Sequence, residues 1–517
     1  MNEQKDLVRQ HIRGSSLLLL GRLFALLMNF GVQVLVVRYL VKAEFGAFAY
    51  AIAAVSLCSS CVLLGLNRAV NRFVPIYLEK GDHARAVGTI LLAVANCVGL
   101  GLALVVLVFG LQDFLGSHVI QSDGASDGTP LPLSLLLILI ALSPLEALDN
   151  VFQGLLAVFA SPRAIFFRRH ILTPCLRLGS VLTVMAVSGS VHLLATLYLI
   201  AGLIGTTAYV LVLFRILRNR GLFSDFKKEP PRVSAREIYA FSLPMLTTEA
   251  FLVLKTSLAV LLLEFYKDSA AVAEFRAVVP VAGLTLVVLQ SLKMLYTPTA
   301  SRLYAREDVD GINALYWQSA SWVALMSFPV FVVCVLFHEP ITVLLFGEQY
   351  AGAGLVLAVL AVGNYINAAL GMNTYTLQVY ARVRTVATNS VIAALLGLGL
   401  NLWLIPIHGA IGAAWATSGA IVVHNLLNQA GLHFGTGVDV LRMQGLRVYG
   451  SILLVTLGLV VLHTSFELPL VALVILVVFA FLILLRINRK ELNIANAFPE
   501  IAKVPGFRFL LAMERGR

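Results

Sequence analysis

The residues of this chain that can do chemistry are ionisable side chains set inside long apolar runs. Arg22 sits in one such run, with Ser15, Asn29 and Gln33 at −7, +7 and +11 from it. At 3.6 residues per turn all four fall on one helix face, a polar stripe down an otherwise apolar rod. Glu249 and Lys255 share a second run, with Thr248 on the Lys255 face, and Arg276 and Lys293 share a third. Glu146 and Asp149 stand one turn apart in a fourth, and Arg177 lies in a fifth. Such a group costs about 2.5–3.5 kcal/mol in a bilayer on insertion scales, so it faces a cavity or a partner. Arg22, Lys255 and Arg276, with Asn29 and Gln33, are therefore the candidate lining of a polar cavity. Glu146, Asp149 and Glu249 are candidates for proton coupling or for counter-ions to the arginines. Blander readings stand beside these. Arg38, Glu264 and Lys293 lie near enough to helix ends to snorkel to the interface, and Arg177 can pair with Asp149 as a packing bridge.

Enzymatic signatures are missing. The chain has no G-x-x-x-x-G-K-[ST] loop to cradle a nucleotide and no H-E-x-x-H. Its ten histidines show no metal-ligand spacing, so neither a metal nor a cofactor is expected. Cys58 and Cys61 share a helix face but lie in an apolar run, where they read as small packing residues. Transport, passive or driven by a gradient, is favoured over ATP hydrolysis or catalysis.

The elements that hold these residues follow from composition. Of the 517 residues 59% are hydrophobic and only 13% charged, against about 25% charged in soluble chains. Mean hydropathy is +0.90. Apolar runs of about 20 residues recur, each long enough to cross a bilayer as a helix. The expectation is an all-α polytopic membrane protein of about fourteen transmembrane helices. They are placed near 15–39, 46–66, 88–110, 132–159, 171–189, 192–214, 241–265, 271–297, 316–338, 353–377, 386–405, 410–432, 447–464 and 468–486. Alternating the loops puts about 30 of the 38 Lys and Arg on one side, which the positive-inside rule makes the cytoplasm. Both termini then lie inside. The net charge of +11 belongs to these loops and does not imply nucleic acid. The basic stretch from Arg215 to Arg236 separates two apolar halves, and Pro230 and Pro231 bar a continuous helix through it. The domain reading is a six-helix lobe at 1–214, a cytoplasmic linker at 215–240, a second six-helix lobe at 241–433, two extra helices at 434–487 and a cytoplasmic tail at 488–517. A faint repeat joins the halves at a spacing of about 226 residues, a plan shared by many transporters. It sets Ile76–His83 opposite Arg302–Val309, with Lys80 on Arg306 and Asp82 on Asp308.

Four segments carry a family resemblance: AEFGAFAYA (Ala43–Ala51), GLNRAVNRFVPIYLEKGD (Gly65–Asp82), LFGEQYAGAG (Leu345–Gly354) and NLWLIPIHGAIGAAWAT (Asn401–Thr417). In this order and between these helices they resemble the polysaccharide transporter, or Wzx-type flippase, family. Its superfamily (MOP) also holds the multidrug and toxin extruders (MATE) and the lipid II flippases. The resemblance implies two pseudo-repeated six-helix lobes around a central cavity, plus two C-terminal helices. It implies export of an oligosaccharide on undecaprenyl pyrophosphate across a bacterial inner membrane, for O-antigen, capsule or exopolysaccharide. A polymerase and a chain-length regulator would be pathway partners. Arg22 and Arg276 lie on helices that match the cationic cavity lining of such flippases. A MATE-like drug or cation antiporter and a lipid II-type flippase are the alternatives.

Overall fold

The computed structural model describes residue 21 and residues 24–118, 130–159, 166–219, 230–439, 443–466 and 470–492, without the side chains of 244–256 and a few others. Among the described residues all regular structure is helical. Nine helices there are long and apolar enough to cross a membrane, or ten if one bent pair forms a single span. The chain is a multi-pass membrane protein. It divides into two compact units, residues 1–277 and 278–517. The division falls inside a helix, so by contact the seventh expected helix and the start of the eighth group with the first six.

In the first unit α1 (Phe24–Tyr39) leads by a short turn into α2 (Lys42–Leu63). The second expected helix does not stop at 66. After a break at Leu64 and Gly65, both at positive φ, it continues as α3 (Leu66–Glu79). That helix is amphipathic: Leu66, Val70, Phe73 and Tyr77 are buried while Arg68, Asn71 and Arg72 are exposed. Its polar face hid it from a search for continuous apolar runs. Then come α4 (His83–Gly110), the short α5 (Gln112–His118), α6 (Leu131–Leu139) and α7 (Leu142–Val158). The fourth expected crossing is thus two pieces, α6 and α7, bent by 42°. A π-helical turn (Phe166–Leu172) opens α8 (Thr173–Val187), which is followed by α9 (Val191–Asn219). After the linker come α10 (Ala235–Tyr266) and α11 (Ser269–Gly283). The core of the unit is built from α3, α4, α7 and α9, around Leu66, Val70, Cys97, Val151 and Leu155.

The turn between α10 and α11 is clamped to the start of α2. A Cβ on Gly46 would collide with the Ser269 carbonyl, so only glycine fits there. Lys42 Nζ lies 2.6 Å from Glu274 Oε1 across the same contact. Glu264, expected to snorkel, is instead 2% exposed and accepts from the Ser269 hydroxyl at 2.9 and 3.0 Å. Burial next to a donor outweighs the pull of the interface.

In the second unit α12 (Val287–Ala305) follows a 3-10 turn, and α13 (Val309–Leu336) leads to the short α14 (His338–Phe346). The tenth expected crossing is broken into α15 (Gly354–Leu370) and α16 (Met372–Val379). The eleventh and twelfth form α17 (Val383–Thr436), broken at Gly409, whose φ of 58° and ψ of −132° suit glycine. Then come α18 (Met443–Phe466), α19 (Leu470–Ile487) and the one-turn α20 (Arg489–Leu492). A lattice of neutral polar side chains ties α13, α15, α16 and α17 together. Tyr316 donates to Gln429 (3.0 Å), Asn425 to Asn367 (3.0 Å), Asn428 to Thr374 (3.0 Å) and Asn389 to Asn428 (2.9 Å). Asn373, Asn425 and Asn428 are all buried.

The faint repeat has a local counterpart in each unit. Asp82 caps α4 by accepting from the Arg85 amide at 3.0 Å, and Asp308 caps α13 by accepting from the Gly311 amide at 2.8 Å. The residue before each, Gly81 or Glu307, is at positive φ.

Candidate functional site

Within the first unit six helices surround a cavity of about 260 Å³. The α1 stripe supplies Asn29 and Gln33, α7 supplies Glu146 and Asp149, α8 supplies Arg177, α9 supplies Tyr198 and Thr206, and α11 supplies Arg276. Phe45 and Phe48 of α2 form an apolar wall. The bend between α6 and α7 starts a new helix at Leu142, one turn before Glu146. Gly202 of α9 lets that helix approach, since a Cβ there would meet Leu142 Cδ2 at 2.5 Å.

The polar groups are held from several sides. Gln33 Nε2 donates to the Arg276 carbonyl at 3.4 Å, tying the α1 stripe to α11. Thr206 donates its hydroxyl to Asp149 Oδ1 at 2.9 Å. The Arg177 guanidinium stands 5.9 Å from the centre of the Tyr198 ring, within reach of a cation–π interaction. Tyr198 in turn meets Phe48 edge-on at 5.2 Å. Glu146 has Arg177 and Asp149 as its charged neighbours. Among the described residues no ion pair joins either carboxylate to Arg177 or Arg276. In place of the expected Arg177–Asp149 packing bridge, the described contacts are the Thr206 bond to Asp149 and the Tyr198 ring beside Arg177.

Of the expected site residues, Asn29, Gln33, Glu146, Asp149 and Arg276 meet in this cavity. Arg22 and the side chains of Glu249 and Lys255 lie outside the described residues. The cavity adds Arg177, Tyr198, Thr206 and Phe48. Tyr198 and Thr206 are eight residues apart on one face of α9, a spacing the sequence displays but does not single out. Chemically the lining combines guanidinium donors for an anion with carboxylate and amide acceptors for hydroxyl or N–H groups. Among the described residues no group of three His, Cys, Asp or Glu side chains could hold a metal ion. All five cysteines are free; Cys61 is exposed and Cys58 half-buried.

Comparison with known proteins places this geometry. The family described as "Polysaccharide biosynthesis protein" matches residues 11–304. The probable low-salt glycan biosynthesis flippase Agl15 of Haloferax volcanii is 23% identical over 245 residues, 47% of this chain and 50% of that protein. The chain thus matches about half the length of that curated relative. Among solved structures, the lipid II flippase MurJ in an inward closed conformation superposes with a TM-score of 0.71 at 16% identity, covering 92% of this chain and 99% of that one. An inward-facing MATE family multidrug transporter of the MOP superfamily gives 0.62 at 14% identity, covering 78% and 92%. At these identities the likeness is one of fold alone.

Proposed function

We propose, because this chain belongs to the polysaccharide biosynthesis protein family, that it flips a lipid-linked oligosaccharide across its membrane by alternating access. The observation that supports the reading is the cavity in which Arg177 and Arg276 meet amide, hydroxyl and carboxylate side chains between apolar helices. A pyrophosphate dianion cannot cross hydrocarbon unaided, and a guanidinium offers it a fixed fork of donors. Arg276, with Arg22 and Lys255, binds the pyrophosphate, and Arg177 joins them. Asn29 and Gln33 hold the polar face of α1 toward it. Glu146 and Asp149, with Glu249, are the counter-ions of the empty site or the carriers of a coupling proton. No covalent bond is made or broken.

The finer assignments follow from the same reading. The carrier lipid is undecaprenyl pyrophosphate and the membrane is a bacterial inner membrane. About fourteen crossings leave both termini in the cytoplasm. The chain is organised as six-helix lobes at 1–214 and 241–433, with two further helices at 434–487. A polymerase and a chain-length regulator receive the exported unit. A cell interior negative by 100 mV favours outward movement of each negative charge by about 2.3 kcal/mol, so the potential alone can bias the cycle.

The test is flipping of a fluorescent undecaprenyl pyrophosphate glycolipid in proteoliposomes. Arg276→Ala should abolish it at normal protein abundance, and unchanged flipping would sink the assignment. A second reading, export of cationic drugs, is favoured by the two cavity carboxylates alone. Efflux of a cationic dye that is lost in Glu146→Gln would support it against the first.

A further inference from the structure

We propose that Arg72, held over the Phe241 ring, binds the phosphate of an anionic phospholipid where α3 meets the start of α10. The site lies apart from the cavity and does not depend on what the cavity carries. Its depth follows from helix lengths. The 22 residues of α2 rise about 33 Å at roughly 1.5 Å each, enough to complete the hydrocarbon core of about 30 Å. The 28 residues of α4 carry the chain back. The amphipathic α3 between them therefore starts at the polar boundary. A side chain on a helix leans toward the helix N-terminus, so Arg72 reaches back toward the bilayer. It meets α10 at Phe241, where the seventh expected crossing begins.

The guanidinium is held on its apolar side. Arg72 Cζ lies 4.6 Å from the centre of the Phe241 ring and 5.6 Å from that of Phe73, within cation–π range. Phe241 packs against the core of the unit and meets Phe73 edge-on at 5.5 Å. Asn71 fixes the rotation of α3, because a Cβ on Gly154 of α7 would collide with its side chain. Arg72 is nonetheless exposed, and among the described residues no hydrogen bond or ion pair engages its guanidinium. Glu237 of α10 accepts the Tyr77 hydroxyl at 3.1 Å instead. Glu79 shares the α3 face but stands about 10 Å further along the axis. A ring beneath an arginine leaves its N–H edges pointing outward, a fork suited to phosphate oxygens. Arg68, exposed one turn earlier on the same face, adds a second positive charge. Phosphate at this level is what the headgroup layer supplies, and cations beside the membrane attract its anionic members. A lipid seated here bridges α3 and α10.

The experiment uses full-length protein in detergent, with phosphatidylglycerol, phosphatidylcholine and undecaprenyl pyrophosphate as probes. Bound lipid is counted by native mass spectrometry. The wild type should hold phosphatidylglycerol in preference to phosphatidylcholine. Arg72→Ala should weaken phosphatidylglycerol binding about tenfold, the effect of one charge-assisted hydrogen bond. Arg72→Lys should lose less, because the charge stays and only the fork is lost. Phe241→Leu keeps an apolar group against the core and should lose several-fold, because the ring that holds the guanidinium is gone. Arg384→Ala removes an exposed arginine of the second unit and should leave binding in place. Equal binding of the two phospholipids by the wild type, or phosphatidylglycerol binding unchanged in both Arg72→Ala and Phe241→Leu, overturns the proposal. An equal loss in Arg384→Ala makes the attraction diffuse and overturns it too. Undecaprenyl pyrophosphate that outcompetes phosphatidylglycerol at equal concentration in the wild type, and not in Arg72→Ala, gives the site to the carrier lipid and overturns the phospholipid assignment.

Discussion

Charge-assisted hydrogen bonds contribute about 1.5–3 kcal/mol each, so losing Arg177 or Arg276 should lower substrate affinity by one to two powers of ten. Arg276→Lys should keep part of the activity, because it retains charge but loses the two-pronged fork. Arg22 makes the sharper comparison. Arg22→Ala should abolish export with the protein still inserted, Arg22→Lys should rescue some of it, and Arg22→Glu should fall below alanine because it repels the dianion. Export measured beside membrane abundance checks each. A fall in abundance that tracks the fall in export would make Arg22 a structural partner of a carboxylate. Cys58→Ser with Cys61→Ser should leave export nearly intact, and a null at normal abundance would return a chemical role to the pair. At this scale much of the cavity was legible in the sequence. Arg276, Glu146, Asp149, Asn29 and Gln33 stand out because a bilayer makes charged and polar groups expensive and so marks them. Tyr198, Thr206 and Phe48 carry no such mark: an aromatic or hydroxyl in an apolar helix reads as packing until a neighbour is known. Arg177 was visible but misread, because its aromatic partner lies on another helix.

Helices were legible as apolar runs, and their interruptions were not. A polar helix such as α3 breaks no apolar run because it contains none, and the α6–α7 bend leaves hydropathy unchanged. The repeat was faint in residue identity yet reappears as matched turns at Asp82 and Asp308. Removing a helix N-cap costs about 1 kcal/mol. Asp82→Ala and Asp308→Ala should therefore each lower the thermal midpoint of detergent-solubilised protein by a few degrees, and a null effect at either would demote that cap. The clamp of α2 against the α10–α11 turn makes a different prediction. The Lys42 and Glu274 side chains are 23% and 27% exposed, so solvent screens their attraction and an ion pair of this kind contributes about 0.2–1 kcal/mol. Reversing one charge should destabilise slightly and reversing both should restore the loss in a double-mutant cycle. Gly46→Val should be far worse, because the collision is with backbone and no side chain can yield.

For the whole chain the positive-inside rule makes the basic residues the predictor of orientation in the membrane. Asp123 and Lys227 lie outside the described residues, and the Lys/Arg distribution predicts opposite sides for them. A membrane-impermeant thiol reagent added to intact cells should label Asp123→Cys and spare Lys227→Cys in an otherwise cysteine-free chain. Labelling at 227 would overturn the fourteen-crossing arrangement. Hydropathy and charge bias reveal which segments cross and which way they face. They carry no information on which contacts group α10 with the first unit, since that depends on close approaches such as Gly46 on Ser269.

The asparagine lattice of the second unit bears on how such a chain is made. Helices leave the insertion machinery one after another, and each must tolerate lipid before its neighbours arrive. A buried aspartate or lysine would penalise that interval by a few kcal/mol, whereas Asn373, Asn425 and Asn428 are neutral and enter more cheaply. Once α15, α16 and α17 are side by side, their amides pair at roughly 0.6–2 kcal/mol per bond. Assembly of this unit can then proceed in two stages, insertion first and locking second, with each helix able to wait for its partners in lipid.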